Sequence, residues 1–368
     1  MAHKTIQTLT AEAIQLLKKM IATPSFSGQE NKTAELIKAW FTAHSIPYNR
    51  KDNNVWVSNL YFDESRPTLL LNSHHDTVKP NQGYTLDPFN PIEKDEKLYG
   101  LGSNDAGGCL VSLLAAFTYF YANENLSHNL VIAATAEEES SGPNGLNSIL
   151  SELPPIDCAI VGEPTGMQLA IAEKGLLVLD VVVKGTPGHA AHQNSDNAIY
   201  NALEVAKWFR DYMFDKVSDV LGPVKMTVTG FSAGTQHNVV PAECNMVVDV
   251  RVNDCYTNIE ILQLIQHNLS DTAVIKPRSL HLNSSSIAKD HPLVQAGILL
   301  GRSWYGSPTL SDQSVLHCQS LKLGPGVSAR SHSADEFIYL HEIEEGVVVY
   351  CSLLTEFLLN QPAMADKL

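Results

Sequence analysis

The sequence predicts an α/β protein with a mostly parallel central sheet and a smaller α+β, ferredoxin-like domain inserted into it. Two observations carry this reading. Short, continuously apolar runs alternate with segments of helical periodicity, the pattern of strands buried on both faces. From about residue 177 to 278 the order becomes β-α-β-β-α-β, a split βαβ unit of ordinary small-domain size. The expected division is therefore 1–176 and 279–368 for the larger domain, with 177–278 inserted. A chain of 368 residues exceeds what one hydrophobic core usually supports.

Taken in order, residues 10–22 and 28–43 have helical periodicity, the second with Ala34, Leu36, Ile37, Trp40 and Phe41 on one side. Residues 68–73 form an apolar strand leading into His74, and 107–121 a buried helix starting just after Asp105. The strand at 129–135 runs into the triplet Glu137-Glu138-Glu139, and that at 158–161 into Glu163. In the insert, strands at 177–183, 224–229 and 244–251 accompany helices near 196–213 and 259–265. The chain finishes with a helix over 341–359. Ligands of parallel sheets sit at the carboxyl ends of the strands, which is where these acids and histidines fall.

Composition narrows the function classes. Lys+Arg 25 against Asp+Glu 40 leaves a net charge of −15, which argues against nucleic acid or an anionic membrane as partner. The first residues have no apolar core of the secretory kind, and no apolar run approaches a membrane span. Six scattered cysteines without a CxxC pair read as reduced thiols of a cytoplasmic protein.

The chemistry lies in five short polar blocks. His74-His75-Asp76 places one imidazole at a strand end with a carboxylate two residues on. A metal-bound His commonly donates its other N–H to such a carboxylate, although a strand-end His beside a solvated Asp gives the same pattern. Asp105, after Gly100-Leu101-Gly102, is either a plain helix cap or a carboxylate bridging two metals. Three adjacent acids at 137–139 repel one another unless cations are near or the loop is solvated. Adjacent Glu residues can divide the labour, one holding metal and one moving a proton, and spacing does not assign which. Glu163 in Gly162-Glu163-Pro164 and His332 in Ser331-His332-Ser333 complete the set. Imidazole and carboxylate donors without thiolate suit two divalent ions, zinc foremost, with manganese or cobalt as alternatives.

Together these blocks resemble the co-catalytic zinc aminoacylase and carboxypeptidase family, in its acetylornithine deacetylase and succinyl-diaminopimelate desuccinylase group. The family's H-x-D-T/V reads here as His74-His75-Asp76-Thr77, its T-A-D-E-E-S as Thr135-Ala136-Glu137-Glu138-Glu139-Ser140, and its G-E-P-T as Gly162-Glu163-Pro164-Thr165. Its S-H-T-x-D-E-F reads as Ser331-His332-Ser333-Ala334-Asp335-Glu336-Phe337. The resemblance implies that Asp105 bridges two zinc ions, with His74 and Glu163 on one and Glu139 and His332 on the other. Glu138 is then the general base and Asp76 orients His74. Glu137 stands where the family usually has Asp, which leaves the register within the triplet open.

In the insert, Gly185-Thr186-Pro187-Gly188-His189-Ala190 resembles a family motif whose His stabilises the oxyanion in a neighbouring subunit. That implies a homodimer through the inserted domain, with His192 as a nearby competitor. Asn238 and Arg251 match positions that hold the substrate's carboxylate, and Arg330 is a further candidate. The implied reaction is hydrolysis of an N-acyl amino acid, such as N-acetyl- or N-succinyl-ornithine or citrulline. Dipeptide cleavage, or a non-catalytic dimeric binding protein on the same fold, are the alternatives.

Overall fold

In a computed structural model describing residues 4–194, 196–269 and 271–360, all seven residues of the strand Thr68–His74 are buried. The strand lies inside a sheet that runs, in spatial order, Asn49–Lys51, Asn54–Ser58, Asn129–Thr135, Thr68–His74, Cys158–Val161, Gln319–Lys322 and Leu169–Glu173. Its central ladders are parallel, pairing Thr68–His74 with both Asn129–Thr135 and Cys158–Val161, and the latter with Gln319–Lys322. The flanking ladders are antiparallel. Continuous apolar runs become central strands because both of their faces are covered.

The helix Gly108–Phe120 packs on the strands Thr68–His74 and Asn129–Thr135, and also touches the helices Ile6–Ile21 and Leu340–Leu358. Being covered on several sides, it is apolar nearly all round. The helix Ile6–Ile21 starts four residues before its periodicity signals, because Thr5 caps it, Oγ1 accepting the N–H of Thr8 at 3.2 Å. The second helix starts later than expected, at Asn31, since Gly28 has φ +83° and the chain still turns there.

The described residues fall into two units, with Ala172–Ser286 and Gly306–Leu310 in the smaller one. Its four main strands are antiparallel in the order Lys225–Ala233, Glu243–Val252, Gly175–Lys184, Val274–Pro277. With the helices Ala198–Asp211 and Asn258–Leu269 this is the ferredoxin-like arrangement. Leu177, Leu179, Val181 and Val183 alternate inward along one strand and share a core with Phe209, Ile261 and Ile265. Among the described residues no helix is long and apolar enough to cross a membrane.

Candidate metal centre

Parallel strands end at the same edge, and their ends assemble the cluster. His74 is registered with Thr135, and Asn72 with Val161, so the segments carrying Asp76, Glu138 and Glu163 all leave the sheet together. Asp105 comes from the turn before Gly108–Phe120. Gly102 makes this turn possible, with φ +74° and a virtual Cβ only 2.5 Å from Thr77 Cγ2.

His74 is almost wholly buried. Its Nδ1 donates to the backbone carbonyl of Asp76 at 3.0 Å, and the Asp76 carboxylate stands slightly farther off, at 3.4 Å. Orientation by Asp76 was expected through the carboxylate, and the shorter contact is to the main chain. A carbonyl only accepts, so the hydrogen sits on Nδ1 and Nε2 faces the acids. Nε2 has no hydrogen-bond partner, yet it lies 3.4 Å from Asp105 Oδ1, 3.7 Å from Glu163 Oε1 and 3.8 Å from Glu138 Oε2. These spacings are long for hydrogen bonds. They suit donors around a cation, since ligands about 2.0–2.2 Å from a tetrahedral ion stand roughly 3.3–3.6 Å apart. A buried, unpartnered nitrogen facing three carboxylates is what a divalent metal fits.

The second half of the cluster is formed by Glu139, whose two carboxylate oxygens lie 3.1 and 2.9 Å from His332 Nε2, and by Asp105 Oδ2, 3.7 Å from the same nitrogen. Two groups thus meet the geometric requirement for holding an ion: His74, Glu138 and Glu163, and His74, Asp105 and Glu139. All five expected ligand side chains and Glu138 lie in one cluster, with Asp105 facing both imidazoles.

Glu137 turns out of it. Its φ is +55°, and its carboxylate takes the backbone N–H of Asn144 at 3.0 Å and the side-chain amide at 2.9 Å. A side chain at Gly142 would displace it, because a Cβ there would stand 2.1 Å from Glu137 Oε2 and 2.8 Å from its Cβ.

Electrostatics agree with a cationic occupant. Burial pushes Glu163 up to about 8, with Asp105 adding to it. Burial also drives Glu138 well above the usual carboxylate range, helped by Glu163, Asp312 and Glu139 and opposed by His74. Burial alone would pull His74 down, but Glu138, Asp105 and Asp76 outweigh it and hold the imidazole well above its ordinary value. The hydrogen bond to Glu139 lifts His332 to about 9. The pocket favours positive charge, as protons or as metal.

Four supporting residues were not singled out by sequence. Glu336 Oε1 accepts the backbone N–H groups of Asn104 and Asp105 at 2.8 and 3.0 Å, holding the Asp105 turn. Asn104 pairs with Val327 through both amide atoms, each at 3.1 Å. Asn81 holds the His332 carbonyl at 3.0 Å. Asp312 is buried and accepts from Thr135 Oγ1 at 2.7 Å, with burial raising it to about 6. Of these, Glu336 sits within the His332 block and could have been found there. Asn104 likewise lies beside Asp105, whereas Asn81 and Asp312 stand outside every motif block, and only the fold brings them to the site.

Arg330 is already engaged, its guanidinium paired with Glu342 and donating to the Phe337 carbonyl at 3.3 Å. In the smaller unit Arg251 forks onto Asp249 at 2.9 and 3.0 Å. His189 and Asn238 are brought together there, because Gly188–His189 pairs with Val239–Val240 and the Ala190 N–H donates to the Asn238 carbonyl at 2.9 Å. His189 is exposed, with its ring 5.6 Å from that of His192.

Known proteins are similar to this chain, some in sequence and some in fold. An acetylornithine deacetylase of Proteus mirabilis is 27% identical over 382 residues, covering 95% of this chain and 98% of that protein. A succinyl-diaminopimelate desuccinylase of a Ruegeria species is 23% identical, covering 94% and 95%. Among solved structures, a tripeptidase from Staphylococcus aureus superposes with a TM-score of 0.77 at 17% identity, covering 96% of this chain and 99% of that one. A dinuclear metal-binding peptidase from Bacillus subtilis does so with a TM-score of 0.71 at 14% identity, covering 95% and 98%. Residues 70–356 match the model of peptidase family M20/M25/M40, to which this chain belongs as a metal-dependent hydrolase of amide bonds.

Proposed function

We propose that this protein removes the acyl group from an N-acyl amino acid of the N-acetyl- or N-succinyl-ornithine or citrulline type. The observation that carries the reading is the convergence of His74, Asp105, Glu138, Glu139, Glu163 and His332 on one strand edge. The names of the sequence relatives at near full-length coverage support the acyl amino acid class. We assign Asp105 as the shared ligand of two divalent ions, with His74 and Glu163 on one and Glu139 and His332 on the other. Zinc is the ion this donor set suits best, with manganese or cobalt as alternatives. When bound, such ions supply Lewis acidity at the amide carbonyl and make water a better nucleophile near neutral pH.

The chain's own residues do the rest. Glu138 takes a proton from the attacking water and passes it to the amine nitrogen as the C–N bond breaks. Its place supports this role: the carboxylate stands 3.8 Å from His74 Nε2, among the side chains that would hold the ions. His189 donates a hydrogen bond to the developing oxyanion across a homodimer formed through the smaller unit. Asn238 and Arg251 hold the substrate's carboxylate, Arg251 exchanging its fork onto Asp249 for the ligand.

The test is amine release by metal-loaded protein from N-acetyl- and N-succinyl-ornithine and citrulline, run beside dipeptides at equal concentration. Faster turnover of the acyl amino acids is expected. Preference for dipeptides would move the protein to the peptidase reading, and no turnover of either would end both.

A further inference from the structure

We propose that Glu30 is a positioning residue for the general base: it grips the backbone of the acidic triplet and so fixes where Glu138 points. The inference rests on the assignment of Glu138 as base. Glu30 lies ahead of the stretch matched by the family model.

Glu30 is completely buried. Its Oε1 accepts the backbone N–H groups of Gly28 at 2.6 Å and Glu137 at 3.2 Å, and its Oε2 accepts from the Asn53 amide at 2.8 Å. A buried carboxylate is costly unless hydrogen-bonded, and this one is satisfied by donors from three separate segments. The bond to Glu137 matters because that residue is left-handed, a conformation unfavourable for an L-residue unless its surroundings hold it.

The next two amides are gripped in the same way. Asp76 Oδ1 and Oδ2 accept the N–H groups of Glu138 and Glu139, each at 3.1 Å. Three successive N–H groups are therefore held by two carboxylates. The same loop steadies both of these, since Ser27 Oγ donates to Asp76 Oδ2 at 2.7 Å, three residues before Glu30. With the Glu137 side chain drawn to Asn144, the turn leaves Glu138 facing His74 and Glu163. Loosening the Glu30 end would let the turn rotate without removing any expected ligand.

The test compares Glu30→Asp with Glu30→Gln in metal-loaded protein. Alanine would strand three buried donors and risks misfolding. Aspartate keeps the charge but withdraws the acceptor by about 1.5 Å, one carbon–carbon bond. Glutamine keeps an oxygen for Gly28 and Glu137, and the Asn53 amide can turn to meet its NH2. Glu30→Asp is expected to lower kcat about 10- to 100-fold, with KM within about twofold, because a misplacement near an ångström has that effect. Native mass spectrometry should still find both metal ions, and amide hydrogen exchange should quicken over 137–139. Glu30→Gln should recover kcat to within about threefold.

The proposal is overturned if Glu30→Asp keeps kcat within about twofold, or if its loss of turnover tracks lost metal or an equal rise in KM. Glu138→Gln is measured alongside. If that variant stays active, the base assignment itself has failed. If it is inactive while Glu30→Asp is normal, only the positioning role has failed.

Discussion

Asp76 Oδ1 accepts the backbone N–H of Glu138 at 3.1 Å, so the acid that backs His74 also sets the turn bearing the neighbouring acids. Asp76→Ala removes the carboxylate contact to His74 and the grip on the Glu138 and Glu139 amides, while the main-chain hydrogen bond to His74 Nδ1 stays. We expect metal affinity to fall about 10- to 100-fold, as for other partners of metal-bound His, with a further loss in kcat at saturating metal. Isothermal titration of metal into the stripped protein, with kcat measured at high metal, checks both parts. If full activity returned on adding metal, the backbone grip would be irrelevant to catalysis.

The acidic triplet separates into roles that substitution can read. Glu138→Gln should retain metal and lose about 10²- to 10⁴-fold in kcat, the usual size of a general acid–base contribution. Glu139→Gln should lose metal first, because its carboxylate lies against His332. Glu137→Gln, whose side chain faces Asn144, should stay within about tenfold of the wild type. Metal content and kcat measured on all three variants give the pattern, and a dead Glu137→Gln beside an active Glu138→Gln would shift the register by one.

Burial pushes His75 down from 6.5 to about 4, and its Nε2 donates to the Asn53 carbonyl at 2.9 Å. The folded protein keeps this imidazole neutral where the unfolded chain takes up a proton. This group's contribution to stability is therefore full above pH 6.5 and declines as the pH falls toward 4. The loss from this one group reaches at most ~3 kcal/mol. Urea unfolding of the metal-free protein from pH 7.5 to 4.5 measures it, with His75→Gln expected to show a shallower slope. Equal slopes would mean that His75 is not the group responsible.

Arg330 was a candidate for the substrate's carboxylate, and its fork is taken by Glu342 and the Phe337 carbonyl, beneath the Phe337 and Tyr339 rings. Arg330→Ala should therefore cost about 1–3 kcal/mol of stability, the penalty for stranding buried hydrogen-bond partners, with KM changed less than about twofold. Thermal melting and Michaelis kinetics on one preparation decide it. A tenfold rise in KM at unchanged Tm would return Arg330 to the substrate.

Much of this was legible in the sequence. Continuous apolar strands such as 129–135 are readable because burial on both faces leaves no polar position, and polar residues directly after them mark the carboxyl edge. The insert was readable from its β-α-β-β-α-β order over 177–278. Short elements were not. The strands Ile92–Lys94 and Lys97–Tyr99 are three residues each, too brief for any period to show. Nor was the support behind the site. Glu30 and Asp312 look like surface acids, and only the three-dimensional packing buries them. Arg330 shows the complementary limit: a motif gives its position, while its partner Glu342 lies in the next element.

Counting metal ions tests the central claim most directly. Purified protein loaded with zinc and freed of excess should carry two equivalents by native mass spectrometry, and Asp105→Ala should carry fewer and be inactive. Wild-type protein that retains no tightly bound divalent ion, or an Asp105→Ala variant that keeps two with undiminished affinity, would contradict the account.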